Sequence, residues 1–105
     1  MSGLGEMGNL LKQAQEMQRA LDSARAELRA RAFEGSAAGG LVRVSLSGDR
    51  QEVRGVEIAP GAPLEPRALE EAVASALRDA LRRALEAEKQ TLSRITGGMS
   101  LPGLL

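Results

Sequence analysis

Arg78, Arg82 and Lys89 stand at i, i+4 and i+11, with Arg83 beside them. On a helix this spacing puts three cations on one face. Such a row suits phosphate, because each planar guanidinium can hold two phosphate oxygens. Lys12 and Arg19 lie seven residues apart and share a helical face in the same way. The chemistry on offer is contact with a polyanion along a groove edge. An ordinary solvated face stays open beside it. Asp79–Arg83 and Glu27–Arg31 have the i, i+4 spacing of surface helix pairs, and Glu86 flanks Arg78 and Arg82.

Composition excludes most other chemistry. The 105 residues include no His, Cys, Trp or Tyr, and Phe33 is the only aromatic. Catalysis through His or Cys is excluded. So are disulfides and zinc sites of Cys or imidazole. Base stacking on aromatic platforms has almost nothing to work with. Glu70 with Glu71, and Glu86 with Glu88, point in different directions on a helix and imply no pocket. Gly39-Gly40 lacks the strand, loop and Lys-Ser/Thr of a phosphate loop and reads as a turn. No enzyme is expected, and no catalytic, cofactor-binding or metal site.

Net charge is +0, from 14 basic and 14 acidic residues. Binding a polyanion then requires charge to segregate locally. Residues 4–31 hold five basic and four acidic side chains, and residues 66–96 hold six and five. The middle, residues 32–65, holds three and five. The basic excess thus sits at the two ends of the sequence pattern. Met1–Glu6 lacks the basic and apolar regions of a signal peptide, and no apolar run approaches the ~20 residues of a membrane span. A cytoplasmic protein without membrane contact is expected.

Periodicity gives the elements that must carry these residues. Met7, Leu10, Ala14, Met17, Leu21, Ala24 and Leu28 recur in steps of three and four, a seam of heptad type. This predicts a helix over about 4–31, roughly 40 Å long. With Met7, Ala14, Leu21 and Leu28 at the a positions, Lys12 and Arg19 point away from the seam. The period then changes to two. Ala32–Ser36, Leu41–Ser47 and Glu52–Ile58 read as strands, with Val42, Val44, Leu46, Val56 and Ile58 facing inward and Gly48-Asp49-Arg50 as a turn. Pro66 suits a first helical position, and Gly97-Gly98 a helix stop. Between them Leu69, Val73, Leu77, Leu81, Leu85, Leu92 and Ile95 mark a second helix over 66–96, about 45 Å long. Residues 97–105 read as a mobile tail.

Three strands make a sheet only about 15 Å wide. Two helices of 40–45 Å overrun it, so the seam Met7, Leu10, Ala14, Met17, Leu21 and Leu28 would meet water in a single chain. Apolar stripes of that size find a partner, most often a second copy. A tight dimer is predicted.

The stretch Asn9-Leu10-Leu11-Lys12-Gln13-Ala14-Gln15-Glu16-Met17-Gln18 resembles the opening helix of the bacterial YbaB/EbfC family of nucleoid-associated proteins. The likeness continues through Gly40–Val44, Val56–Ile58, Ala76–Ala80 and Gly98–Gly103. It covers nearly the whole chain in order. It implies an α+β, α-β-β-β-α fold with a three-stranded antiparallel meander, as one domain over residues 1–105. It also implies a tweezer-like homodimer, binding to double-stranded DNA in the nucleoid, and a role in nucleoid organisation and gene expression. The family has β-branched residues where this chain has Ala32-Phe33-Glu34, and more lysine where this chain has arginine.

Two functions stay in view. One is a dimeric DNA-binding protein using Lys12, Arg19, Arg78, Arg82, Arg83 and Lys89 as phosphate contacts. The other is an adaptor whose apolar helices dock a cytoplasmic protein, with recombination or replication factors as the setting the resemblance suggests. Neutral net charge favours the adaptor.

Overall fold

The computed structural model describes residues 2–97. Helix α1 spans Ser2–Ala30, strands β1, β2 and β3 span Ala32–Ala37, Val42–Ser47 and Val53–Ile58, and helix α2 spans Pro66–Thr96. The strands pair antiparallel in the order β1-β2-β3. This is the α-β-β-β-α arrangement that the resemblance implies. Residues 98–105, expected to be a tail, lie outside the described part.

Local chemistry sets the joints. Ala38, Gly39 and Gly40 all take positive φ in the β1–β2 turn. In the β2–β3 turn Asp49 accepts from the Ser47 hydroxyl and the Gln51 amide, and Arg50 is left-handed at φ 62°. Before α2 the Glu65 carboxylate accepts from the amides of Arg67 and Ala68, and Pro66 fills the first turn. Gly97 closes the helix at φ 66°, with its amide donating to Ser93 O.

Pairing of β2 with β3 is in register at Val42↔Ile58 and Val44↔Val56, then shifts between Ser45 and Leu46. The extra residue is Arg54. A bulge re-aims the side chain it carries. Here Arg54 reaches the end of α1, donating to Ala30 O at 3.1 Å and Arg29 O at 2.6 Å. Those carbonyls have no partner within the helix, and the cation also meets the negative end of its dipole.

The core lies between β2 and α2. Val42, Val44 and Leu46 meet Ala72, Ala76 and Ala80, and all are buried. The sheet-facing stripe of α2 is therefore alanine, and the leucine series that marks the helix in the sequence lies to its side. Leu69, Val73 and Leu77 are partly buried against the core, while Leu81 and Leu85 remain exposed. Gly35 of β1 explains the choice of alanine. A Cβ there would overlap Ala76 O and Ala80 N, so helix and strand backbones touch.

The inward placement of Val56 and Ile58 is corrected. Their register puts them on the same side of the sheet as Val44 and Val42. Yet α2 lies over β1 and β2, and Val53, Val56 and Ile58 are 58%, 48% and 46% exposed. On the opposite face Arg43 pairs with Glu57 at 2.5 Å and Glu34 at 3.7 Å.

The helices overrun the sheet as expected. The described chain measures 74 × 21 × 17 Å. Leu21, Ala24 and Leu28 of α1 are buried, as are Leu92 and Thr96 of α2, where the two helices run together.

Candidate nucleic-acid interface

The basic residues of α2 gather on the flank next to β1. Asp79 anchors them. One of its oxygens, Oδ2, accepts the Ser36 amide of β1 at 3.1 Å and Arg83 Nε at 3.3 Å. The other, Oδ1, holds Arg82. Ser36 N–H donation, followed by the nearby charges of Arg83 and Arg82, keeps the Asp79 carboxyl below the ordinary aspartate range. Arg82 and Arg83 still show 76% and 59% of their side chains to solvent.

Arg78 joins the group. It lines an open groove of about 510 Å³ with Ser36, Ser75, Asp79 and Arg82. One carboxylate thus stands among three guanidinium groups. The next groove along α2 is lined by Arg82, Arg83, Glu86, Ala87 and Gln90, and the one after it by Lys89, Gln90, Ser93 and Arg94. From Arg78 to Arg94 the stripe runs about 24 Å. At 3.4 Å per phosphate along one strand, that length faces about seven nucleotides.

The candidate residues therefore divide into two sets. Arg78, Arg82, Arg83 and Lys89 form one continuous flank of α2. Lys12 and Arg19 sit exposed on α1 and line none of these grooves. Among the described residues, the ion pairs leave Lys12, Arg19, Arg78 and Lys89 without an acidic partner. The spaced pair Asp79–Arg83 forms. Glu27–Arg31 is not among the described ion pairs, and Arg31 instead lies over the Phe33 ring at 4.6 Å. Sequence reasoning missed Arg94, Ser36 and Ser75. Arg94 continues the stripe eleven residues beyond Arg83, and the spacing could have found it. The two serines carry no pattern of their own.

Of the candidate seam, Leu21 and Leu28 are buried and Met17 is half-buried, while Met7, Leu10 and Ala14 are exposed. Among the described residues no group of three acidic or other ligating side chains could hold a metal ion. No described helix is long and apolar enough to cross a membrane.

Known proteins are similar to this chain in sequence and in fold. A nucleoid-associated protein of Polynucleobacter asymbioticus is 41% identical over 98 residues, covering 93% of this chain and 91% of that protein. One of Clostridium perfringens is 40% identical over 104 residues, covering 97% and 92%. One of Alkaliphilus metalliredigens is 36% identical over 106 residues, covering 99% and 92%. The crystal structure of an uncharacterized Helicobacter pylori protein has the same fold, with a TM-score of 0.71 at 22% identity, over 89% of this chain and 96% of that one. The model of the YbaB/EbfC DNA-binding family, which is not an enzyme family, matches residues 3–99, and the chain belongs to that family.

Proposed function

We propose that the chain is a homodimer that binds double-stranded DNA mainly through phosphate contacts, in the nucleoid of the cytoplasm. It organises the nucleoid and influences gene expression. The observation that carries this reading is the α2 flank. Arg82 and Arg83 share the Asp79 carboxylate, Arg78 lines the same groove without an acidic partner, Lys89 continues the row, and the side chains stand open to solvent. Lys12 and Arg19 supply a second set of contacts on α1. Guanidinium contacts of this kind read the backbone and not the bases.

The dimer is supported by apolar surface that one chain leaves open. Val53, Val56 and Ile58 lie on the part of the sheet that α2 does not cover. Asp79 faces β1, so Leu81 and Leu85 lie on the flank of α2 turned toward β3, and they are exposed as well. A two-fold contact would bury this patch against its own copy.

The test replaces Arg78, Arg82 and Arg83 together with Ala and titrates two unrelated duplexes across a salt series. Loss of binding with an unchanged dimer mass supports the reading. Wild-type protein that shows no association with duplex DNA at low salt overturns it. A second reading, a protein adaptor, is favoured by the exposed Leu4, Met7, Leu10 and Leu11 of α1 and by the neutral net charge. Its setting would be recombination or replication. It wins if the triple variant keeps its DNA affinity and a pull-down returns one stoichiometric protein.

A further inference from the structure

The first half of α1 carries apolar residues that no described residue covers. Leu21, Ala24 and Leu28 are buried, and Met17 is half-buried. Before them Ala14 is exposed, and Leu11, Leu10, Met7 and Leu4 are 60%, 66%, 60% and 80% exposed. Their steps of three and four put them on one helical face, about 20 Å long. Lys12, Glu16 and Arg19 fall on the opposite face.

The spacing of this stripe is the same read from either end. Leu4 corresponds to Met17, Met7 to Ala14, and Leu10 to Leu11. Laid antiparallel on a copy of itself, about a two-fold axis between Leu10 and Leu11, the helix sets apolar against apolar at every level. Met7 meets Ala14 of the second copy, large against small, as interdigitating helices require. The charges fit the same register. Glu6, Lys12 and Glu16 come level with Gln15, Asn9 and Gly5 of the second copy, so like charges are not opposed. A foreign partner would call for no such two-fold spacing.

Two glycines point the same way. Gly3 stands one turn before Met7, and Gly8 lies between Leu4 and Leu11 at the edge of the stripe. A Cβ at either position would meet nothing in its own chain. Glycine inside a helix weakens it relative to alanine, and its use is to let another backbone come close. Packing within the chain gives no reason for these two glycines. The approach of a second helix does.

We propose that the first half of α1 is a second contact between copies of this chain, in which α1 helices of different dimers pair antiparallel through Leu4, Met7, Leu10, Leu11, Ala14 and Met17. Two facing stripes remove about 1,000 Å² from water, the low end of specific interfaces, so the contact is weaker than the dimer itself. Each dimer carries two such helices, and the pairing links dimer to dimer. Lys12 and Arg19 stay open on the outer face. The inference rests on the dimer reading only for the number of chains joined, and it uses neither the β3 patch nor any DNA contact.

Sedimentation of the full chain from about 5 to 500 µM, the range of a contact this small, tests it. The weight-average mass should rise from two chains to at least four. Leu10→Glu should stay at two chains throughout with an unchanged helical spectrum, because Leu10 is exposed within its own chain. A parent mass that stays level over this range overturns the proposal and leaves the stripe to its own chain or to another protein. A parent that rises only from one chain to two, and loses that rise in Leu10→Glu, keeps the α1 contact and removes the β3 patch. The chain has no cysteine, so an introduced thiol reports on its own position. Under mild oxidation Leu10→Cys, beside the axis, should link copies at least about 10-fold faster than Lys12→Cys on the far face, since thiol exchange requires close approach. Equal rates overturn the proposal.

Discussion

The Ser36 amide donates to Asp79 Oδ2 at 3.1 Å, joining the free edge of β1 to the middle of α2. An edge strand offers unpaired amides to any passing strand. Here one such amide is spent on a carboxylate. That same carboxylate holds Arg82 and Arg83 and so takes one unit off the positive charge of the α2 row. Asp79→Asn keeps an acceptor for Ser36 while removing the charge. Duplex affinity should rise about 3-fold at low salt, the scale of one unit charge at the protein surface. The gain should vanish at high salt through screening. Fluorescence anisotropy across a salt series measures both.

Acid stability depends on two aspartates. Asp79 is lowered first by the Ser36 amide, then by Arg83 and Arg82. Asp49 is lowered first by the Ser47 hydroxyl, then by the Gln51 amide and the Arg29 charge. Both lie below the ordinary value of 3.8. A carboxyl depressed on folding stabilises the fold fully above its unfolded value and loses that contribution as pH falls through its folded value. With no His or Cys in the chain, Tm should stay nearly level from about pH 8 to 5 and fall below about pH 4. Asp79→Asn should have a shallower acid limb in a melting series.

Three glycines separate packing from flexibility. A Cβ at Gly35 would overlap backbone atoms of Ala76 and Ala80, and one at Gly48 would overlap Leu28 O. Neither neighbour is a side chain that can swing away. Gly55 has open space around its would-be Cβ. Urea unfolding should show Gly35→Ala and Gly48→Ala losing about 3 kcal/mol each, the upper range of overpacking. Gly55→Ala should stay within about 0.5 kcal/mol of the parent.

Gly35 also marks what a single sequence hides. Two stripes on α2 share the i, i+4 step. One is Ala72, Ala76, Ala80 and Ala84, and the other is Leu69, Val73, Leu77, Leu81 and Leu85. Hydropathy favours the second, but the sheet takes the first because Gly35 brings the backbones together. Pro66 and Gly97 were legible as helix limits because their backbone preferences are local. The turn at Gly48-Asp49-Arg50 was legible for the same reason. The reach of Arg54 to α1 and of Ser36 to Asp79 spans 25 and 43 residues respectively, beyond any local pattern. Val56 and Ile58 have strand alternation like Val42 and Val44, and only the limited width of one helix decides which pair is covered.

That uncovered strand gives the clearest test of assembly. Val56 stands opposite Val44, on the side of the sheet that carries α2, and is 48% exposed. With Val53, Ile58, Leu81 and Leu85 it forms the apolar surface assigned to the second copy. A carboxylate placed there would be desolvated without a partner, which costs several kcal/mol in an interface. In the free chain the same side chain can reach water. Val56→Glu should therefore fold with a helical spectrum like that of the parent yet sediment as a single chain at micromolar concentration. Its DNA affinity should drop by more than 10-fold, since two linked sets of phosphate contacts become one. A Val56→Glu protein that keeps the parent's dimer mass would remove β3 from the interface.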